Sequence, residues 1–269
     1  MQRLFAILMF LCLALATAFS QEDVLAGAVH QKMATGKIYA HTVRGFPHFE
    51  IDGKTVELKN SDFIDAQNIS VETVTDQCVT LVFSNKTAIY VCGSAKFFIE
   101  KFEQAQPFGA RPNTDDEPSR SLMRINVEKG EIFVSTLKAR PSSKLIVKTP
   151  FGVYEPQSRA FRIKANADEV RLDLMEGRAR FHTHTDKSDF LQIGQSGFAT
   201  KDSAQRKYPL NPQILPMLEA DSYMQKVKFA KAAANSTLFY FNDDGQLEAS
   251  RVVSTDFFLK KPKHDFRPN

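Results

Sequence analysis

Two cysteines, Cys78 and Cys92, have the type and spacing that most directly suggest chemistry. They lie in a segment typical of one β-hairpin and are equidistant from Asn85, in the predicted turn. Residues at this spacing face each other across a hairpin, so the sequence predicts a disulfide between the two strands. Two separately buried thiols are the alternative. Because the chain has no Cys-x-x-Cys spacing, the bond would be structural and not catalytic.

Two histidines could contribute to a metal site. His182 and His184 alternate with a threonine on a predicted strand, so both imidazoles project from one face, where a divalent metal could bridge them. The sequence identifies no third ligand, and two ligands make a poor site. We therefore favour structural or solvent-facing histidines and predict no metal ion and no cofactor. The Asp243-Asp244-Gly245 triplet lacks the ligand spacing of a calcium loop and is interpreted as a turn.

Motifs of common enzymes are absent from the sequence. Gly-x-Ser-x-Gly, His-Glu-x-x-His and a phosphate-binding glycine loop do not occur. The carboxylates are scattered, although a glycosidase pair can be built from residues far apart in the chain. We predict a non-enzymatic protein with no catalytic residues, and a carbohydrate-active enzyme is the alternative.

The first twenty residues have the order of a secretory signal. Arg3 is followed by an apolar run from Leu4 to Ala16 and then by small and polar residues up to Gln21. The run is shorter than the roughly 20 residues that span a bilayer, so cleavage near Ser20 is favoured over anchoring. No later stretch is apolar and long enough to cross a membrane. We expect residues 1–20 to be a signal peptide and the protein to be periplasmic, secreted or at the cell surface.

Charge and composition argue against a nucleic-acid partner. The formal net charge is +4, without a dense Lys/Arg stripe interleaved with aromatics. Trp is absent and Phe occurs 23 times, so the core is expected to be rich in phenylalanine.

Short strands separated by turns recur from Gly36 to Gly197. Alternation of Val56 and Leu58 with polar residues is typical of a strand that is buried on one face. The series indicates an all-β sandwich, barrel or solenoid. Residues 104–121 contain three prolines and no periodicity, which predicts a loop or linker. Turns are predicted at Asp52-Gly53, Ser84 to Thr87, Lys129-Gly130, Pro150 to Gly152 and Glu176-Gly177.

The pattern changes after Tyr208, so residues 208–269 form a predicted C-terminal region. A helix is predicted from Asn211 to Ala234, because apolar residues fall near helical spacing there. A hairpin of Thr237 to Phe241 and Gln246 to Val253 follows, and the basic end from Lys260 to Lys263 is interpreted as a frayed tail. The apolar positions of the predicted helix are Ile214, Leu218, Met224, Val227, Phe229 and Ala232.

The order of these features resembles the FecR family over roughly residues 35–200. The matching segments are Gly36 to Ile38, Val79 to Ile89, Thr149 to Val153, Phe161, and Val170 to Gly177. The resemblance implies a β-domain, described for relatives as a twisted solenoid or sandwich of short antiparallel strands and hairpins, outside the inner membrane. In the signalling members this domain is joined by a membrane helix to a cytoplasmic anti-sigma segment, where this chain has a predicted signal peptide.

These observations lead to one main functional expectation and two alternatives. We expect an exported, stand-alone FecR-like module that presents sheet edges or a loop face to a protein or a cell-envelope polymer. One alternative is a periplasmic component of iron-uptake-type envelope signalling that works with a receptor in trans. The other is the carbohydrate-active enzyme named above.

Overall fold

The computed structural model describes residues 32–106, 115–182, 188–200 and 213–252. Eighteen strands and one helix lie in these ranges, which confirms a mainly β fold with a C-terminal helix and hairpin. The predicted signal peptide, His184 and the basic tail lie outside the described residues. The elements are β1 (Met33–Thr35), β2 (Lys37–Arg44), β3 (His48–Ile51), β4 (Lys54–Val56), β5 (Phe63–Asp65), β6 (Gln67–Thr73), β7 (Cys78–Phe83), β8 (Ala88–Cys92), β9 (Ala95–Ala105), β10 (Ser121–Ser135), β11 (Lys144–Thr149), β12 (Gly152–Ala165), β13 (Glu169–His182), β14 (Ser188–Gln192), β15 (Gln195–Thr200), β16 (Gln213–Ile214), α1 (Met217–Ser236), β17 (Thr237–Phe241) and β18 (Leu247–Arg251).

Three long strands, β10, β12 and β13, each contribute to two layers of sheet. Layer A has the strand order β16-β15-β13-β12-β10-β8-β7-β2-β5. Layer B has the order β4-β3-β6-β9-β10-β11-β12-β13-β14, with β1 beside the end of β9. Residues 121–129 of β10 pair in layer B, and residues 130–135 pair in layer A. The two layers are therefore built from the same strands, which pass from one layer to the other.

The turns predicted at Lys129-Gly130 and Glu176-Gly177 are wrong, because β10 and β13 each continue through these positions. Both glycines have positive φ, 91° and 95°, as a turn would require. Register shifts in the neighbouring pairings show that they mark bulges that bend a strand. At Gly130 a Cβ atom would lie 2.4 Å from Ala95 Cα, so close approach of two strands also requires glycine there.

Apolar side chains of both layers form the main core. Alternate residues of β10 contribute Met123, Ile125 and Val127 from layer B, then Ile132 and Val134 from layer A. The largest fully buried side chains of this core include Phe49, Phe83, Phe97, Phe102, Phe161 and Tyr154. The period-2 pattern of the sequence therefore places one face of each layer against the other.

The predicted loop 104–121 is shorter than expected at both ends. Gln104 and Ala105 belong to β9, and Ser121 begins β10. Glu117 is buried, with 4% of its surface exposed. Residues 107–114 lie outside the described residues.

The C-terminal helix α1 lies on the outer face of layer A and starts later than predicted. Pro216 occupies the N-cap, and the two residues of β16 precede it where helix was expected. The predicted apolar face is wrong in part, because Ile214, Leu218 and Phe229 are exposed. The helix instead buries small residues beside Val227, so that it approaches the sheet closely. The buried helix residues are Val227, Ala230, Ala233 and Ala234, against Tyr39, Val82, Ala88, Phe133, Ala160 and Met175.

The predicted C-terminal hairpin is confirmed. β17 and β18 pair with Thr237 opposite Arg251, and the chain reverses at residues 242–245. No helix among the described residues is long and apolar enough to span a bilayer.

Candidate interaction surface

The predicted disulfide is present. Cys78 and Cys92 are direct partners across β7 and β8, and their sulfur atoms are bonded. The bond closes the end of this hairpin opposite its turn, as the symmetric spacing about Asn85 predicted. It stabilises layer A by limiting the freedom of the unfolded chain.

His182, the described member of the histidine pair, lies in β13 without a metal-binding cluster. Its Nε2 atom is 3.9 Å from Glu155 Oε2, and its side chain is partly exposed. His184 lies outside the described residues. Within the described ranges, no group of three or more His, Cys, Asp or Glu side chains could hold a metal ion.

Exposed apolar side chains are concentrated near the C-terminal helix and hairpin. Ten large apolar residues are exposed among the described residues, and six of them lie in residues 213–252. Contiguous exposed apolar patches mark interaction sites more often than scattered apolar residues do, so contiguity is what matters within this region. The six are Ile214, Met217, Leu218, Phe229, Tyr240 and Phe241.

Four of the exposed residues surround the end of layer A, and we call them the β16 edge: Ile193, Ile214, Met217 and Leu218. Ile193 is 63%, Met217 79%, Ile214 85% and Leu218 86% exposed. The chain places them together by two backbone contacts. Ile214 pairs with Gln195, and the N–H of the next residue donates to Gly194 O at 2.8 Å.

Local sequence explains why Ile214 points outward. Its neighbour Leu215 is 5% exposed and packs with Phe133 and Val227 beneath α1. Because successive residues of an extended segment point to opposite sides, burial of Leu215 turns Ile214 towards solvent. Pro216 then begins the helix and carries Met217 and Leu218 into its first turn.

The backbone at the β16 edge is also open. β16 pairs with β15, and among the described residues no strand pairs with its other side. Pro216 supplies no side-chain hydrogen bond to the first turn of α1. Within the described residues, apolar side chains and an open strand edge therefore lie side by side, which is the combination that an added strand can use.

A buried ion network positions the first half of α1. Arg162 of β12 forms ion pairs with Glu131 of β10 and with Asp173 of β13. Arg171 contacts Asp173 at 2.6 Å and Glu219 of α1 at 2.8 Å. Asp173 has no exposed surface, and Arg162 is 3% exposed. The network therefore connects three strands of layer A to the helix that carries the β16 edge.

Tyr223 completes the contact between this network and the helix. Its ring centroid lies 4.1 Å from the guanidinium carbon of Arg162, and its hydroxyl donates to Glu219 Oε2 at 3.1 Å. Hydrogen bonds from Arg171 and Tyr223 hold the pKa of the Glu219 carboxyl below its ordinary value. The carboxylate thus stays ionised and keeps its bond to Arg171.

The far end of α1 is held by two other side chains of layer A. Lys86 donates to Ala234 O at 3.1 Å and to Thr237 O, and His41 Nε2 lies 2.9 Å from Ser236 Oγ. Burial lowers the pKa of Lys86 to about 8. Burial, with the charge of Arg251, lowers the pKa of His41 to about 4. A cation at the carbonyl end of a helix complements its dipole, so Lys86 stabilises this junction.

Sequence reasoning missed both the ion network and the β16 edge. Arg162 and Asp173 alternate with core residues inside predicted strands, a pattern that places them on the face opposite the core but does not show that a helix covers that face. Glu131 and Glu219 come from distant segments, so no local pattern connects them to that pair. Pro216 was the signal that Ile214 lies outside the helix.

Comparisons with known proteins show a distant similarity in structure. No family model matches the sequence, and no curated protein matches it. Two solved structures of a protein described as a "putative anti-sigma factor" from Parabacteroides distasonis ATCC 8503, at 1.65 Å and 2.50 Å resolution, are similar to this chain. Each has a TM-score of 0.40 and 11% identity, covering 64% of this chain and 67% of that chain. The structure defines a two-layered β protein with one helix-covered face, and its place in the FecR family stays a prediction.

Proposed function

We propose that this chain is an exported, non-enzymatic FecR-like module that binds a protein partner in the periplasm or at the cell surface. The observation that carries the proposal is the β16 edge, where four exposed apolar side chains adjoin a strand that pairs on one side only among the described residues. Covering an exposed apolar cluster with another protein surface removes apolar area from water, which favours binding. The Cys78–Cys92 disulfide supports export, because such bonds persist in oxidising compartments.

The geometry favours an extended apolar segment of the partner as the bound element. Backbone groups of Gln213 and Ile214 can pair with an added strand, which supplies affinity without regard to side chains. Side chains of that strand on the outer side would contact Ile214 and Leu218, which supplies selectivity for apolar residues. The ion network beneath α1 holds these contact residues in a fixed position before the partner binds.

Photo-crosslinking in the cells that encode the protein tests this proposal. A photoreactive phenylalanine analogue replaces Ile214 in one full-length variant and Val74 in another, because Val74 is also apolar and 56% exposed but lies in the β6–β7 turn. We expect a protein adduct of one discrete mass from position 214 and none from position 74. Adding Leu218→Asp to the position 214 variant should abolish the adduct. Adducts from both positions, or from neither, would contradict a partner site at the β16 edge.

Cell fractionation tests the export half of the proposal separately. We expect the protein in the periplasmic or surface fraction, with a mature chain that begins near Gln21 and a Cys78–Cys92 bond in non-reducing mass mapping. Recovery of the protein from the cytosol with both cysteines reduced would refute export. Any crosslinked partner would then be a cytosolic protein.

A further inference from the structure

A large cleft lies where the β10–β11 connection meets the bends of β12 and β13. We call it the bend cleft; its volume is about 1010 Å³. Its lining includes residues 136–145, the β12 residues Glu155, Pro156, Gln157 and Arg159, and the β13 residues Glu176 to Arg178. Its volume exceeds that of most sites for a single small metabolite, so it has room for several units of a chain-like ligand.

The path of the chain explains the cleft. β10 ends in layer A, whereas β11 lies parallel to the first part of β10 in layer B. Residues 136–143 must therefore cross from one layer to the other. Thr136 N donates to Arg159 O at 3.0 Å at one end of this crossing, and Ser121 N donates to Ser143 Oγ at 3.0 Å at the other.

A buried carboxylate fixes the crossing segment. Glu117 accepts hydrogen bonds from Asn85 Nδ2 at 3.1 Å, from Arg140 N at 3.2 Å, and from Ser121 Oγ. Arg140 Nε in turn donates to the carbonyl oxygen of Glu117 at 2.6 Å. Glu117 is 4% exposed, so its hydrogen bonds are shielded from water and hold Arg140 at the wall of the cleft.

Most carboxylates of the cleft already contact a cation or several donors. Lys138 lies 3.6 Å from Asp116, and Arg159 lies 3.8 Å from both Asp115 and Glu176. Glu155 lies 3.9 Å from the imidazole of His182. The acidic residues at the cleft are therefore engaged within the protein.

Three cations of the cleft have no such partner. Arg140, Lys144 and Arg178 form no ion pair with a carboxylate among the described residues, and all three are exposed. Arg178 Nε donates to Gln157 Oε1 at 2.7 Å, which directs its guanidinium without neutralising it. The described residues that line the cleft thus comprise five basic and four acidic side chains, and three of the basic ones are available to a ligand together with the hydroxyl groups of Ser142 and Ser143.

We propose that the bend cleft binds an acidic segment of polypeptide, with carboxylates of the ligand at Arg140, Lys144 and Arg178. Guanidinium groups bind carboxylates through paired, charge-assisted hydrogen bonds, which an amide or hydroxyl cannot match. No aromatic ring occurs among the described residues that line the cleft, so none is available there to stack on a sugar face. This argument favours an acidic peptide over an acidic polysaccharide.

Binding of labelled hexaglutamate to the purified full chain tests the proposal by fluorescence anisotropy at about 0.15 M salt, where exposed charges more than about 8 Å apart are largely screened. We expect hexaglutamate to bind and hexaglutamine not to bind. Lys144→Gln with Arg178→Gln should weaken the affinity about tenfold or more, because each change removes a charge-assisted contact. The matched control, Arg44→Gln with Lys228→Gln, removes the same charge from exposed positions that do not line the cleft and should change the affinity less than about twofold.

Two further measurements make the outcome decisive. On the unaltered protein, hexaglutamate should slow acetylation of Lys144 and leave that of Lys129 unchanged, which does not depend on a variant folding. No binding, an equal loss in the control variant, or tighter binding of a hexameric uronic acid oligosaccharide would overturn the proposal. Ile214 and Leu218 take no part in this test, so its failure would leave the β16 edge proposal standing.

Discussion

The outer faces of the two layers carry similar residue types in opposite surroundings. On layer A, α1 covers Arg162 and Asp173, which are 3% and 0% exposed. On layer B, Lys148 contacts Glu100 at 2.8 Å, but 44% and 31% of these side chains are exposed. Water screens the second pair and not the first, so an ion pair on one face and an ion pair on the other have unequal consequences for stability.

The difference indicates what each face does. A buried charge that loses its partner is strongly destabilising. Because Glu219 of α1 is one of the partners, displacement of α1 would cost free energy. The open face of layer B has no such constraint, because its charges are solvated whether or not they are paired. The position of α1 on layer A is therefore fixed by polar contacts as well as by packing. The β16 edge lies next to the first turn of this fixed helix.

Arg162→Met should give the largest loss of stability. It leaves Asp173 buried without its Arg162 partner and removes the contact to Tyr223, so we expect the free energy of unfolding to fall by about 3–5 kcal/mol. Chemical denaturation followed by circular dichroism measures the change.

Lys148→Met on layer B is the matched control for Arg162→Met. Because its ion pair is exposed, we expect a change below about 1 kcal/mol. Equal losses for the two variants would show that burial under α1 does not distinguish the faces.

Replacing both Cys78 and Cys92 with alanine should have the second largest effect. The two residues are 14 positions apart, and a loop of that size corresponds to about 3 kcal/mol of stabilisation. Thermal unfolding with and without reductant measures it: reductant should lower the midpoint of the parent protein and leave that of the double variant unchanged. A midpoint that does not respond to reductant in the parent would contradict a stabilising bond in layer A.

The disulfide could be predicted from sequence because its geometry is local. Cys78 and Cys92 lie on consecutive strands, and the turn between them fixes which residues face each other. The turn at residues 242–245 was predictable for the same reason. Gly130 and Gly177 were not, since positive φ occurs both in turns and in bulges, and a distant neighbouring strand decides between them.

The candidate surface was harder to predict, because tertiary contacts decide it. Ile214 and Leu218 match helical spacing, which wrongly suggested a buried stripe. The structure uses Val227 and small residues such as Ala230 as the contact face, which allows the helix close to the sheet. Arg162 and Asp173 face each other across consecutive strands, but their burial depends on α1, far along the chain.

Acid should destabilise the covered face through His41. Because its pKa in the folded protein, about 4, lies below the ordinary 6.5, the unfolded chain binds the proton more readily. The contribution of neutral His41 to the free energy of unfolding is therefore fully present above pH 6.5 and is lost as the pH falls towards 4. His41 is partly exposed, so we expect only about 1–2 kcal/mol.

The comparison of two histidine variants isolates this effect from the titration of carboxylates. Urea unfolding between pH 7 and pH 4 should show a shallower loss of stability in His41→Gln than in the parent. His48→Gln is the matched control, because the contact of His48 with Glu50 on layer B is exposed and contributes little to stability. If stability fell with pH at the same slope in all three proteins, the contact of His41 with Ser236 would not contribute to holding α1.

Leu218→Asp should have the smallest effect on stability, although it alters the same helix as the covered network. Leu218 is 86% exposed, so the folded state gains little from its apolar surface, and we expect a change within about 0.5 kcal/mol. Val227→Ala is the control, because Val227 is 2% exposed and its truncation leaves a cavity that costs about 1 kcal/mol or more. Urea denaturation compares the two variants. A larger loss for Leu218→Asp than for Val227→Ala would mean that the outward side of α1 is covered within this chain, and the β16 edge would then not be free for a partner.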